Sequence, residues 1–344
     1  MTSKLLSMHD AIAAHIPDGS SVALGLQMEQ MIPFSAGHEM MRQGKRDLTL
    51  IGPIFDIIAD QLIGAGCVKE VIGAWIGNVM MGSAYNFRRE VESGRVKVTN
   101  LSNFSVALAL QAGAMGVPFL PMRSALGSDI AKGNPFFKEI EDPFFGESDP
   151  QRLKPRAEAV GNGTAEAVPF QIGNGTAEDR NRADAFKPRK LHAVRALIPD
   201  VTIMHVQRAD AVGNAHCWGN FGVMLEGVRA AKKVIVIAEE IVAPEVIASD
   251  PNRTVIPSFL VTAVVESPLG AHPSPVQGYY KRDDAFFMEY HKQSKAQADF
   301  ENWAERWVHS VAGREGYNQQ LGAERVASLG VKKHAHAAQT DYGY

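Results

Sequence analysis

Along most of this chain, short apolar runs of strand length alternate with amphipathic stretches of helix length, and that alternation is the strongest constraint on its fold. The rhythm is clearest near the N-terminus. Val22–Leu26 is an apolar run opened by the turn Pro17-Asp18-Gly19, Pro33 stands at a first helical position, and Phe34, Met40 and Met41 recur at helical spacing until Gly44. Asp47–Ile51 then reads as the next strand. Further on come a helix at Asp56–Ile63, a strand within Val68–Gly77, a helix at Phe87–Glu92 and a strand at Val96–Val98. A helix at Ser102–Met115 and a strand at Val117–Pro121 close this block, and strands resume at Pro199–Val206, Lys233–Ala238 and Thr262–Glu266. The expected fold class is α/β: a mostly parallel, doubly wound sheet flanked by helices. Lys4–His15 reads as a leading helix. Phe300, Trp303 and Trp307, spaced i, i+3 and i+7, read as an amphipathic helix packed on the body.

Residues 148–189 break the rhythm. They are polar, short of Leu and Ile, and carry GNGTAE twice, so an exposed insertion is expected there, and 332–344 reads as a flexible tail. The whole, 1–344, is otherwise expected to be one domain. The 35 basic residues nearly balance the 38 acidic ones, and no block of like charges occurs, which favours small-molecule chemistry over a nucleic-acid or membrane partner. The two cysteines, Cys67 and Cys217, give no disulfide framework and fit a cytoplasmic protein. The most apolar stretch, Val106–Met122, is interrupted by Gln111, Gly113, Gly116 and Pro118, so it reads as a buried helix running into a strand and not as a membrane span.

In a doubly wound sheet the ligand lies beyond the carboxyl ends of the strands, which makes the loop Gly25–Ile32 the first candidate site. Each candidate carries two readings. The main-chain N–H groups of Gly25, Leu26 and Gln27 suit a developing oxyanion, and a strand-end glycine equally suits a tight turn. Glu29 suits a carboxylate nucleophile or base, or a solvated loop position. Asn78 with Ser83 suits a substrate carboxylate, while Asn after a strand is also a turn former. Gly127-Ser128-Asp129 has the same ambiguity. His205 reads as a core residue, and His334-x-His336 is too short for a metal motif. H-E-x-x-H, paired C-x-x-C, Walker A and G-x-S-x-G are all absent, and no metal is expected.

Seven segments occur in an order that narrows this further: VALGL…IPFSAGHEMMRQGKRDLTLIG, DQLIGAGCVKEVIG, PFLPMRSALGSD, EDPFFGE, VTIMHVQRADAVGNAHCWG, VIVIAEEIV and ESPLGAHPSPVQGYY. Together they resemble the α (or A) subunit of glutaconate CoA-transferase and its relatives among the family I CoA-transferases, from about Lys4 to about Val331. The resemblance implies an active site shared with a separate β subunit, with ping-pong transfer of CoA from an acyl-CoA thioester to an acceptor carboxylic acid. It implies a nucleophilic glutamate on that β subunit, hence no catalytic residue in this chain, with Glu29 as the exception to test. Gly25, Leu26, Gln27, Asn78, Ser83, Gly127 and Ser128 then become candidate substrate-binding residues. Coenzyme A enters as a thioester substrate; no permanently bound cofactor is implied. Where many α subunits have Gly-Gly-Phe, this chain has Gly25-Leu26-Gln27, and Gln27 with Asn78 suggests a polar acyl group, that of a dicarboxylic or oxo acid. A ring-opening hydrolase branch of the same family uses a glutamate in its α subunit, where the matching position here is Asn103. A non-catalytic ligand-binding module is the third reading, and neither terminus offers the helix-turn-helix that a DNA-binding sensor would carry.

Overall fold

The computed structural model describes residues 2–143 and 190–331; the polar segment 148–189 and the tail 332–344 lie outside them. The described residues divide into two units. The larger comprises 1–120 and 195–344, the smaller 121–194.

In chain order the strands are β1 (Ser21–Ala23), β2 (Leu48–Ile54), β3 (Val68–Trp75), β4 (Lys97–Asn100), β5 (Phe119–Met122), β6 (Phe137–Glu141) and β7 (Lys190–Arg195). They continue with β8 (Val201–Ala209), β9 (Ala215–His216), β10 (Lys233–Ile241), β11 (Thr254–Ile256) and β12 (Ala263–Glu266). In the larger unit the order β4-β3-β2-β1-β8-β10-β12 is parallel throughout. The chain winds outward from β1 to β4, then returns to the other side of β1 at β8 and winds outward again. The winding therefore reverses between β1 and β8, where a crevice opens beyond the strand ends. β9 and β11 add an antiparallel pair at the far end of β8, with Arg208 opposite His216. β8 is apolar nearly throughout because both of its faces are covered. The expected doubly wound sheet is present, with one departure. The run Val117–Pro121 supplies β5, which joins a separate three-stranded sheet, β5-β7-β6, instead of extending the main one.

The helices that set the site are α1 (Met8–His15), α2 (Phe34–Arg42), α3 (Asp56–Gly64), α4 (Tyr85–Glu92), α5 (Asn103–Met115), α6 (Met224–Ala230) and α7 (Pro244–Ala248). At the C-terminal end follow α8 (Asp284–Gln293), α9 (Gln297–Ala304), α10 (Gly313–Leu321) and α11 (Ala323–Leu329). The leading helix starts later than expected. Lys4 and Leu6 exchange main-chain bonds with Val264 of β12, and Ser7 then caps α1 by accepting from the Asp10 amide at 3.0 Å. Ser102 caps α5 in the same way, and Gly116 ends it in the left-handed region. Phe300, Trp303 and Trp307 are all buried, as the spacing predicts, in an aromatic cluster with Phe286 and Tyr317.

Buried polar groups clamp this C-terminal layer to the sheet helices. Asp60 of α3 accepts from Tyr290 Oη at 2.6 Å, from Asn86 Nδ2 at 3.0 Å and from the Phe87 amide at 2.8 Å. His272 bonds Tyr317 and Asp283, and Asp283 in turn takes both Nε and Nη2 of Arg325. Burial pushes Asp283 up, but the bonds from His272 and Arg325 outweigh it and hold the carboxyl below its usual range. Among the described residues no helix is long and apolar enough to cross a membrane.

Candidate functional site

Three loops of the larger unit meet beyond the carboxyl ends of the strands. The loop after β1 leaves the sheet at Leu24, whose amide still donates to the Ile51 carbonyl of β2. Gly25 then turns at φ +68°, where a side-chain carbon would lie 2.4 Å from the Ile54 oxygen. Both the angle and the approach demand glycine. The loop after β9 comes down on the same turn. The Val223 amide donates to the Leu26 carbonyl at 2.8 Å, and Gln27 Nε2 lies 3.2 Å from Cys217 Sγ. The third loop, after β12, holds the other side: Met31 donates to the Pro275 carbonyl at 3.0 Å and Ser274 Oγ to the Glu29 carbonyl at 2.9 Å.

The tightly held turn leaves its own donors unused. Gly25, Leu26 and Gln27 are buried, yet among the described residues none of their main-chain N–H groups donates a hydrogen bond. Gln27 Oε1 is likewise buried without a partner, and the amide's other end meets only sulfur, Cys217 Sγ and Met31 Sδ. Each unpaired buried group costs on the order of 1–3 kcal/mol, and such a run is rare in a folded chain. The backbone is also strained here. Met28, Met31 and Asp56 have φ of +61°, +48° and +52°, a region that residues with a side chain seldom enter.

Charge is arranged around the same loop. Glu29, 41% exposed, takes a bond from Arg282 Nη2 at 2.9 Å. Asp56, at the end of β2, is fully buried. Its Oδ1 accepts from the Ile57 and Val79 amides at 2.8 and 3.3 Å, and its Oδ2 has no partner. Burial pushes the Asp56 carboxyl up to about 7; the two amides and the Arg282 charge oppose that rise, and the Glu29 charge adds to it. Burial also pushes the Cys217 thiol up to about 12, so at neutral pH it is a thiol and not a thiolate.

The structure distributes the remaining sequence candidates unevenly. Asn78 is buried, with Nδ2 on the Phe287 carbonyl at 2.8 Å and Oδ1 on the Met80 and Met81 amides, so its side chain is spent in shaping the turn after β3. Ser83 is exposed just before α4. Gly127 and Ser128 belong to the smaller unit, where Gly127 turns at φ +74° and Ser128 Oγ caps the short turn Asp129–Ala131. His205 sits in the core of β8 with Nε2 2.7 Å from Glu239 Oε1, a carboxylate that also takes Tyr280 Oη at 2.6 Å. Arg282, Asp56, Cys217 and Gly222 were not singled out from the sequence. The rule that pointed to the loop after β1 applies equally to the residue after β2, and would have found Asp56.

Residues 5–267 match the family described as Coenzyme A transferase. The chain belongs to this family. Within it, the chain is of the α type, the first of the two kinds of subunit. It is 33% identical over 311 residues to the A subunit of 3-oxoadipate CoA-transferase of Pseudomonas knackmussii, covering 90% of this chain and 94% of that one. To the A subunit of glutaconate CoA-transferase of Acidaminococcus fermentans it is 32% identical over 333 residues, 96% of this chain and 95% of the other. The crystal structure of that glutaconate coenzyme A-transferase superposes with a TM-score of 0.79 at 30% identity, covering 98% of this chain and 99% of its own. A more distant relative is the cholesterol ring-cleaving hydrolase IpdA subunit of Rhodococcus jostii, 25% identical over 302 residues, 85% of this chain and 87% of that one. CoA-transferases of this family use CoA thioesters as substrates. Among the described residues no group of three or more His, Cys, Asp or Glu is placed to hold a metal ion.

Proposed function

We propose that this chain is the α subunit of a two-subunit CoA-transferase that moves CoA between the acyl-CoA of a dicarboxylic or oxo acid and an acceptor carboxylate. Both CoA-transferase relatives are A subunits by name, and the acids in their names, 3-oxoadipate and glutaconate, each carry two carboxylates. The observation that supports the reading best is the run of buried, unpaired N–H groups at Gly25, Leu26 and Gln27, at the point where the winding of the sheet reverses. A thioester carbonyl attacked by a carboxylate becomes a tetrahedral oxyanion, and fixed main-chain donors in a site closed to water stabilise that charge most.

The nucleophile comes from the partner, a β subunit. Glu29 is the only carboxylate in the loop after β1, and its ion pair with Arg282 and its exposure both favour a quiet anion over an activated one. The partner's glutamate attacks the thioester carbon, CoA leaves as a thiolate, and an acyl-glutamyl anhydride forms. The thiolate then attacks the glutamyl carbonyl, releasing the first acid and leaving CoA on the glutamate. An acceptor carboxylate repeats the two steps in reverse order. This chain contributes the oxyanion donors and the wall of the acyl pocket.

A second reading, thioester or ring-opening hydrolysis, draws on the IpdA relative. At Asn103, the first residue of α5, this chain offers an amide in an exposed position and no carboxylate, which favours transfer. The assay that separates them measures CoA release by the complex of both subunits with and without an added acid. Transfer requires the acid and yields its CoA ester; release that is independent of the acid contradicts the reading.

A further inference from the structure

Arg282 lies at the end of the loop after β12 and reaches back to the loop after β1. Its Nη2 donates to Glu29 Oε2 at 2.9 Å, its guanidinium carbon lies 5.9 Å from the centre of the Phe287 ring, and its Nε is buried without an acceptor. A guanidinium grips a carboxylate best through two parallel N–H bonds, and Glu29 uses only one. Glu29 is also a weak hold, because it is 41% exposed and water competes for it. Asp56, the other carboxylate within reach of the Arg282 charge, commits Oδ1 to two amides and leaves Oδ2 unpaired. The other guanidiniums beyond the strand ends are more fully engaged. Arg208 faces Glu240, Arg253 faces Asp250, Arg325 holds Asp283, and Arg314 donates to the main-chain oxygens of Leu269 and His272.

We infer that Arg282 is the residue that reads a carboxylate at the far end of the acyl chain, exchanging its single bond to Glu29 for a two-bond grip on the substrate. Glu29 turns to the solvent it already faces. The unpaired Nε finds its acceptor only when substrate is present, so the exchange adds a bond for the substrate without breaking a buried one. The loop after β1 thereby holds both ends of the acyl group: main-chain N–H groups at the thioester, and Arg282, steadied by Glu29 when the site is empty, at the tail. This rests on the transferase reading and narrows its substrate class to CoA thioesters of dicarboxylic acids.

The test assays the complex with its partner subunit on two donors of matched length, glutaryl-CoA and valeryl-CoA, with acetate as acceptor. R282Q is expected to lower kcat/KM for glutaryl-CoA about 50-fold, the order of one charge-assisted grip, and to change that for valeryl-CoA less than about threefold. E29Q removes the internal competitor and is expected to lower the KM for glutaryl-CoA severalfold, an effect of opposite sign that a loss of folding cannot imitate. Equal losses on both donors in R282Q, or a raised KM for glutaryl-CoA in E29Q, overturn the inference while leaving the transferase reading standing. A native complex that transfers CoA from neither donor overturns the transferase reading and this inference with it.

Discussion

A side-chain carbon on Gly222 would lie 2.2 Å from the main-chain oxygen of Leu26, so the loop after β9 rests on the loop after β1 backbone to backbone. The Val223 amide seals that contact by donating to the same oxygen. Two turns from opposite sides of the winding reversal are thereby locked together, and the unpaired N–H run of Gly25–Gln27 is held in one shape.

Gly222→Ala breaks this lock. Gly222 is at φ +51° and its alanine carbon has only main chain to meet, so relief requires one loop to shift. The variant is expected to lose about 2 kcal/mol of stability and at least about tenfold in kcat with little change in KM, measured by denaturant titration and steady-state kinetics of the complex. Unchanged kcat would show that the turn's shape does not matter to the chemistry.

Gln27→Met separates stability from function. The buried amide has sulfur partners on one end and none on the other, and methionine fills a similar volume without polar atoms. Thermal stability is expected to rise by about 1 kcal/mol while acyl transfer falls. A variant that is both more stable and fully active would remove Gln27 from the site.

Asp56 sets a pH dependence whose sign is fixed by its raised acidity constant. Between about pH 4 and about pH 7 the folded carboxyl keeps a proton that the unfolded one releases, so its contribution to stability falls as pH rises through that window and is lowest above it. Asp56→Asn keeps an acceptor for the Ile57 and Val79 amides and tolerates the positive φ. Its stability relative to the native chain is expected to grow from about pH 4 to about pH 7, by about 4 kcal/mol at most, and then to level off. A difference that stays flat across that range would show that Asp56 is ionised throughout.

His272 acts in the opposite direction. Burial holds its imidazole neutral down to about pH 4, although the bond to Asp283 opposes this, so between pH 6.5 and about pH 4 the unfolded chain takes up a proton that the folded chain refuses. Stability falls as pH drops through that window, by about 2 kcal/mol at about pH 5. His272→Asn is expected to be less stable at neutral pH but to show a flatter dependence down to about pH 5, readable from unfolding midpoints at several pH values.

What the sequence made legible follows from the range of the forces involved. Apolar periodicity is local, so β2, β3, β8 and β10 and the burial of Phe300, Trp303 and Trp307 could be read directly. The loop after β1 was equally legible, because a parallel sheet fixes which strand ends carry ligands. Contacts set by the partner element were not. Lys4–Leu6 looks helical until β12 offers its edge, and Asn78 looks like a substrate ligand until Phe287, 209 residues away, takes its amide. Arg282 and Glu29 are 253 residues apart, and no spacing rule joins them.

The most direct test of the central claim is to mix the complex with an acyl-CoA donor, add hydroxylamine, and map by mass spectrometry the residue converted to a hydroxamate. The split-site account predicts a single modified glutamate on the partner subunit, with none on this chain. Modification of Glu29, or of any other carboxylate here, would contradict it and place the nucleophile on this chain.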